Sequence, residues 1–413
     1  MKRTRSNHRL IQALCVIIFG VCATGLPFNS ALAQDTSISF SGFVKSDIYS
    51  DTRNTVSARD GQFLLFPENK EFNANGTDIN KNTQFNMIAL QTRVQARISG
   101  PKAFGAKTSG MVEAAFFGST EANINTLRLR HAWLKLDWTK TSLIVGQTWH
   151  PLFVTRSFPG TVSFSTGVPF QPFSRNPQIR LTHKEGIFTG ILAAMSQRDF
   201  SGPGGTASLR NAVVPNLHAQ VQVGTDDISG GVGVDFKRLD IDAQKYNPVN
   251  SYSYFGFFHL PVSIFTSKSY ILYGENMQDQ LMLGGVAREA TGGNNNYNLL
   301  PYKTISLWHD LTTGFRGDPN KITYEIGLFT GYSKNLGTDQ NNIVTIPGFV
   351  RGADVDYLYR IAPRVQAQSG SIRFSVEADI TAAAYGSIES DGTVTNSDPV
   401  TNLRLLIGAW LFF

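Results

Sequence analysis

Hydrophobic and polar positions alternate with a period of two from Asn86 to Ser99. One row is apolar or nearly so, and the other row carries two arginines and two glutamines: Gln91, Arg93, Gln95 and Arg97. Successive side chains leave a strand on opposite faces, so this period predicts a strand with one apolar and one polar face. We expect the apolar row to meet an apolar environment through Ile88, Leu90, Val94 and Ile98.

Fifteen further segments show the same alternation, which predicts sixteen strands in all. The approximate spans of all sixteen are 36–50, 84–100, 107–118, 125–138, 141–149, 175–184, 186–197, 213–224, 228–238, 251–265, 267–276, 302–312, 321–334, 353–368, 370–384 and 400–413. The segment 125–138 changes phase midway, because its apolar residues shift from odd to even positions. A β-bulge near His131 and Ala132 would restore the alternation.

The gaps between these segments are mostly long after odd-numbered strands and mostly short after even-numbered strands. One edge of the sheet therefore carries long loops, and the other carries tight turns. Transmembrane barrels have this asymmetry, and only closed barrels or helices satisfy every backbone group in a bilayer. The pattern predicts an all-β fold, a 16-stranded antiparallel transmembrane β-barrel with long extracellular loops and short periplasmic turns. In such a barrel we expect Ile88, Leu90, Val94 and Ile98 to face lipid.

The N-terminal residues fit a secretory signal peptide over residues 1–33, followed by one barrel domain over 34–413. Basic residues precede an apolar stretch from Leu10 to Leu26, and Ala31-Leu32-Ala33 offers a cleavage site. A transmembrane helix is the alternative, but the apolar stretch is short for a span. Export through a cleaved signal peptide is consistent with a location in a bacterial outer membrane.

Signal-peptide cleavage would change both the charge and the cysteine content of the chain. It would remove four of the 37 Lys and Arg residues and none of the 31 Asp and Glu residues, which leaves a net charge of +2. This charge gives no support for a nucleic-acid partner. Both cysteines lie inside the leader, so the mature chain could form neither a disulfide nor a thiolate metal site.

The polar rows of the predicted strands would line the barrel interior, and basic residues outnumber acidic ones there. Arginine dominates the basic set, and its planar guanidinium suits carboxylate and phosphate groups. A basic lumen raises the local concentration of anions. We therefore predict a water-filled path for small anionic solutes, lined by Arg93, Arg97, Arg128, Arg130, Arg180, Arg360, Arg364 and Arg373.

The gap at 150–174 differs from the other long loops because it is apolar, with five phenylalanines and four prolines. A solvated loop would not carry so many aromatic side chains, so this one should pack against something. We expect it to fold into the barrel as a constriction loop that presents Arg156, Arg175, Phe158 and Phe164. The alternatives are a loop that caps the barrel rim or packs on a neighbouring subunit.

Three segments resemble the DcaP-like branch of trimeric Gram-negative porins: "FNMIALQTRVQARISGPKAFGAKTSG", "LRLRHAWLKLDW" and "LIVGQTWHPL". The resemblance implies sixteen strands, a homotrimer in contact with outer-membrane lipid and lipopolysaccharide, a positively charged constriction and dicarboxylate substrates. In general porins, the loop at the same ordinal position as 150–174 folds inward. One departure is that such porins can carry a helical coiled-coil extension, whereas strand-like sequence here starts at Thr36.

Other functions find less support in the sequence. Neither G-x-S-x-G nor H-E-x-x-H occurs, and the remaining histidines lack ligand spacing, so we expect no catalytic residues, no metal site and no cofactor. A phosphate-selective porin and a plugged structural or adhesin barrel remain alternatives. A sugar-selective porin is another, since aromatic side chains could form a slide from Trp149, Phe257 and Trp308.

Overall fold

The computed structural model describes residues 36–118, 121–290, 297–318 and 321–413. The predicted signal peptide lies outside the described residues. A short helix, α1 (Gly205–Ala212), accompanies the strands. The strands are β1 (Ser37–Asp51), β2 (Thr55–Ala58), β3 (Phe63–Pro67), β4 (Gln84–Ile88), β5 (Arg93–Ala103), β6 (Ala106–Ala115), β7 (Arg128–Asp137), β8 (Thr141–Trp149), β9 (Arg175–Glu185), β10 (Phe188–Met195), β11 (Asn216–Gly224), β12 (Ser229–Leu239), β13 (Val249–Val262), β14 (Phe265–Glu275), β15 (Gly284–Glu289), β16 (Leu299–Pro301), β17 (Lys303–Thr312), β18 (Thr323–Asn335), β19 (Ile343–Val344), β20 (Val350–Arg351), β21 (Val355–Ser369), β22 (Ile372–Ile388) and β23 (Val394–Phe412).

Seventeen of these strands form one closed antiparallel sheet. β1 pairs with β23 on one side and with β4 and β5 on the other, so β4 and β5 together make a single strand of the wall. The wall is therefore a 16-stranded barrel, as the sequence predicts. The other strands belong to the loops: β2 and β3 form a hairpin, and β15, β16, β19 and β20 form a small sheet.

Loop lengths differ strongly between the two ends of the barrel. Two residues join β5 to β6, β9 to β10, β13 to β14 and β21 to β22. Gly186 has φ +58° in one of these turns, a conformation that glycine adopts without steric cost. Loops at the opposite end include 52–83 and 150–174. The predicted long extracellular loops and short periplasmic turns are confirmed.

The two faces of the wall differ in chemistry. Outward side chains are apolar and exposed, whereas inward charged and amide side chains are mostly buried. This alternation satisfies a lipid-facing exterior and a polar interior. Among the described residues, no helix is both long and apolar enough to cross a membrane. Exposed outward residues include Phe40, Leu134, Ile179, Leu192, Val232, Ile326, Phe374 and Ile407.

The segment from Asn86 to Ser99 contains a β-bulge that the alternation of its residues does not reveal. Asp47 of β1 pairs with Ile88, whereas Phe43 pairs with Arg93, so the four residues 89–92 on one strand oppose the three residues 44–46 on the other. The Thr92 hydroxyl fills the gap in the ladder, because it accepts from the backbone N–H of Lys45 at 3.1 Å. One extra residue inverts the phase of every side chain before it.

The expectation that Ile88 and Leu90 face lipid is therefore wrong. Leu90 is only 3% exposed and packs in the apolar core inside the barrel, and Ile88 packs against the same core. Phe85 and Met87 face outward in their place, at 68% and 61% exposure. Val94 is exposed on the outer face, as predicted.

The bulge predicted in the fourth strand is present, one residue earlier than expected. Glu113 of β6 pairs with His131, and Ala114 pairs with Leu129, which leaves Arg130 as the extra residue. Arg130 and His131 are consecutive, yet both are buried inside the barrel. The bulge thus places an additional guanidinium in the lumen.

Candidate functional site

The loop 150–174 lies inside the barrel and binds the inner face of the wall. The backbone N–H groups of Val162 and Ser163 donate to the Glu377 carboxylate of β22 at 2.7 and 2.9 Å. The N–H of Gly160 donates to Asp310 Oδ2 of β17 at 3.2 Å. Two carboxylates of the wall therefore hold this stretch of the loop through its backbone.

Aromatic residues of the wall cover another part of the loop. The Tyr270 hydroxyl donates to the Leu152 carbonyl at 3.0 Å, and Trp308 Nε1–H donates to Gln171 Oε1 at 2.5 Å. Both rings are buried, as are Phe255 and Phe329, which extend the row on neighbouring strands. Because the loop packs on this row, Trp308 does not line an open aromatic slide.

The predicted loop residues lie at different depths. Arg156 Nη2 lies 3.0 Å from Asp226 Oδ1 in the short turn between β11 and β12, so this part of the loop reaches the periplasmic end. Phe158 stacks near Phe153, with ring centroids 5.6 Å apart, and is partly exposed. Phe164 is buried and contacts Phe63, with ring centroids 4.8 Å apart.

Five arginines and two carboxylates form what we call the basic cluster, near the loop ends of β5, β6, β7 and β9. Asp199, just after β10, binds three of these arginines. Its carboxylate lies 2.7 Å from Arg128 Nη2, 2.7 Å from Arg175 Nη2 and 3.1 Å from Arg59 Nη2. Burial alone would raise the pKa of Asp199, but the charges of Arg175, Arg59 and Arg128 hold this pKa well below its ordinary value.

The second carboxylate of the basic cluster is Glu113, and it binds the other two arginines. Glu113 Oε1 lies 2.5 Å from Arg130 Nε and 3.4 Å from Arg93 Nε. The Phe117 ring connects the two halves, because the guanidinium of Arg130 lies 5.4 Å from its centroid and that of Arg175 lies 5.6 Å away.

Positive charge exceeds negative charge in the basic cluster. Arg59, Arg93, Arg128, Arg130 and Arg175 outweigh Glu113 and Asp199, which gives a net charge of +3. Nη1 of Arg130 and Nη1 of Arg175 are buried and have no hydrogen-bond partner among the described residues. The cluster can therefore attract further negative charge.

The arc of wall formed by β1, β17, β18 and β21 to β23 has the opposite balance, and we call it the acidic arc. Arg364 lies 2.6 Å from Asp310 and 3.0 Å from Glu325, and Arg404 lies 2.6 Å from Asp51. Its buried ionisable groups are Lys45, Arg360, Arg364 and Arg404 against Asp47, Asp51, Asp310, Glu325, Glu377 and Asp379, a formal net charge of −2 when all are ionised.

The remaining predicted anion-path residues lie outside the basic cluster. Arg360 is buried, and its guanidinium donates to the carbonyls of Val168 and Leu64 at 2.8 and 2.9 Å, which ties two inserted loops to the wall. Arg180 donates to Gln178 Oε1 at 2.8 Å. Arg373 donates to Gln368 Oε1 at 2.7 Å near the periplasmic turn. Arg97 is exposed on β5.

Sequence reasoning missed the contribution of two other loops. The hairpin of β2 and β3 inserts its segment 63–66 into the interior apolar core, and Arg59 follows β2 directly. The apolar run Phe-Leu-Leu-Phe in an otherwise polar loop was the available signal. Asp199 gave no such signal, since an aspartate in a long loop is most often solvated.

Comparisons with known proteins find similarity in structure. No protein-family model and no curated protein matches the chain. The outer-membrane channel DcaP of Acinetobacter baumannii matches with a TM-score of 0.67 at 16% identity, over 92% of this chain and 97% of that one. OmpT of Vibrio cholerae matches with a TM-score of 0.53 at 10% identity, over 92% and 99%. OmpF of Salmonella typhi matches with a TM-score of 0.51 at 11% identity, over 91% and 97%. These likenesses show the barrel fold that the sequence resemblance implies.

Proposed function

We propose that this chain is a DcaP-like outer-membrane porin, a non-enzymatic diffusion channel that prefers small organic anions such as dicarboxylates. The observation that carries this proposal is the net charge of +3 in the basic cluster. The fold supports the channel, because a 16-stranded barrel with polar inner rows can enclose an aqueous path. Export by the signal peptide, a homotrimeric assembly and contact with lipopolysaccharide belong to the same proposal.

Solutes meet the basic cluster through its two least buried guanidinium groups. The side chains of Arg93 and Arg128 are 21% and 16% exposed, whereas Arg130 and Arg175 lie behind them. The inner pair adds positive potential without contacting the solute. A dianion passing Arg93 and Arg128 gains from both charges and pays little for leaving water, because the contact remains hydrated.

We also propose that the loop 150–174 forms the constriction of the channel. Its packing supports this role, since it contacts β14 and β17 on one side and β22 on another. A segment bound to well-separated strands narrows the cross-section available to solutes. Selectivity then depends on the basic cluster that the loop leaves accessible.

Reversal potentials in a salt gradient across planar bilayers test the proposal. The wild-type channel should prefer chloride over potassium, and the Arg93→Gln/Arg128→Gln double variant should lose most of this preference. Arg238→Gln is the matched control, because Arg238 lies on the outer face of β12 and bonds Asn250 at 3.2 Å. A cation-preferring wild type would contradict the proposal, and a folded barrel without conductance would favour the plugged structural barrel.

A further inference from the structure

A histidine of the inserted loop meets a histidine and an aspartate of the wall. His150 starts the loop 150–174, His218 lies on β11 and Asp235 lies on β12, and all three are buried. Each offers a ligand atom, and these atoms lie within 4.8 Å of one another. Asp235 Oδ1 is 3.1 Å from His218 Nδ1 and 3.6 Å from His150 Nε2.

These separations fit coordination by one metal ion. Zn²⁺ bonds nitrogen and oxygen ligands at about 2.0–2.2 Å, so two ligands in a tetrahedral site lie about 3.4 Å apart. The distances of 3.1 and 3.6 Å fall on either side of that value. Two imidazoles and one carboxylate suit first-row divalent cations, and three protein ligands leave one position open.

The hydrogen bonds around His218 leave room for a cation. Its Nε2 lies 3.2 Å from Gln220 Oε1, and in the tautomer that carries its proton on Nε2, this N–H donates to Gln220 while Nδ1 presents its lone pair toward Asp235. Two electron-rich atoms, Nδ1 and Oδ1, then face each other at 3.1 Å. A metal ion between them satisfies both, and the Gln220 bond fixes the ring orientation as outer partners of metal ligands commonly do.

His150 gives an independent indication of a ligand. Its Nε2 is buried and has no hydrogen-bond partner among the described residues, although it points toward Asp235. Its Nδ1 accepts from the Leu152 backbone N–H at 3.2 Å, a bond that requires the proton on Nε2. Coordination through Nε2 moves this proton to Nδ1, and the loop backbone at Leu152 must then turn away from the ring.

We propose that His150, His218 and Asp235 bind a first-row divalent cation such as Zn²⁺. The ion joins the start of the loop 150–174 to β11 and β12. Metal loading is coupled to the loop, because the Leu152 N–H loses its acceptor when the ion binds. The nearby ion pair of Lys237 with Asp279, at 2.5 Å, is neutral overall, so Asp235 supplies the local negative charge that favours the cation.

Calorimetric titration with Zn²⁺ alone tests the site, with tag-free folded protein from which metal has been stripped. We expect one Zn²⁺ per chain. His218→Gln and Asp235→Asn each remove a ligand, so each should lose more affinity than the roughly 10–100-fold that removal of an outer partner causes. His183→Gln is the matched control, since His183 is exposed on the wall and bonds Thr141 at 2.8 Å. This control should bind Zn²⁺ as the wild type does.

Co²⁺ absorption provides a second measurement that needs no variant. The visible bands of Co²⁺ bound to the wild-type barrel should show four or five ligands that include imidazole. Hydrogen exchange at Leu152 should become faster on loading. A wild type that binds no stoichiometric Zn²⁺, or an affinity that His218→Gln and Asp235→Asn leave unchanged, would overturn the site. Neither result depends on whether the barrel conducts anions.

Discussion

The basic cluster and the acidic arc both place arginines inside the same barrel, but they differ in how far carboxylates neutralise the charge of those arginines. In the acidic arc, Arg364 meets two carboxylates and Arg404 meets one, so their charges are cancelled locally. In the basic cluster, Asp199 alone serves three arginines. The number of arginines therefore says little about the potential of a wall, and the supply of carboxylates decides it.

The difference also separates structural from solute-facing roles. Buried ion pairs rarely add much stability over an apolar pair, but removing one partner leaves an uncompensated charge and is costly. Arg364 holds strands together through such ion pairs, and Arg360 holds two loops to the wall through their carbonyls. Arg93 and Arg128 retain exposed surface and belong to a site with surplus positive charge, which is why we assign them to the proposed anion path.

Deleting the loop segment from Ser157 to Pro172 should produce the largest change. It removes the body that lies against the acidic arc and leaves the arginines of the basic cluster in place. Single-channel conductance should rise severalfold, and the anion preference should weaken because the path widens beyond the reach of the cluster, where screening acts over about 8 Å. Unchanged conductance with loss of trimers would instead assign the loop to a subunit interface.

Asp199→Asn should have the next largest effect, because it leaves three arginines, two of them buried, without their shared carboxylate. Breaking a buried ion pair costs about 3–5 kcal/mol, so the folded barrel should convert to the unfolded gel form at a lower temperature. Anion preference should increase at the same time. Asp226→Asn is the control, since that carboxylate is exposed beside Arg156 and should matter little.

Glu377→Gln should have the smallest effect of the three changes. It tests the acidic arc, where this carboxylate holds the backbone of the loop 150–174. The amide oxygen can still accept one backbone N–H from Val162 or Ser163, but the amide nitrogen cannot accept the other. A buried donor without a partner costs about 1–3 kcal/mol, so the loop should fluctuate more and the current noise should rise. Glu185→Gln, at the exposed end of β9, should leave the noise unchanged.

Period-two alternation predicts the strands of the barrel well, because the pattern depends only on which face of the strand each side chain occupies. The bulge at Arg130 is visible in the sequence, since the apolar residues change phase there. The bulge at 89–92 is not visible, because lipid and the interior core are both apolar. Leu90 suits either environment, and only the register against β1 shows that it faces inward.

The site is less predictable than the wall because its contacts join residues far apart in sequence. The face of Arg93 and Arg128 follows from alternation, whereas their carboxylate partners depend on how loops fold. Asp199 reaches Arg59 across 140 residues. His150, His218 and Asp235 likewise show no ligand spacing along the chain, and they meet only because β11 and β12 pair and the loop enters the barrel.

The loop 150–174 affects how stiff the barrel is in cross-section. Its hydrogen bonds to Tyr270 and Asp310 on the neighbouring strands β14 and β17, and to Glu377 on β22, connect parts of the wall that do not pair with each other. An empty barrel of this circumference could flatten into an ellipse under lateral pressure from the bilayer. The loop acts as an internal strut that stiffens the cross-section, so the segment that we propose as the constriction also keeps the width of the path constant.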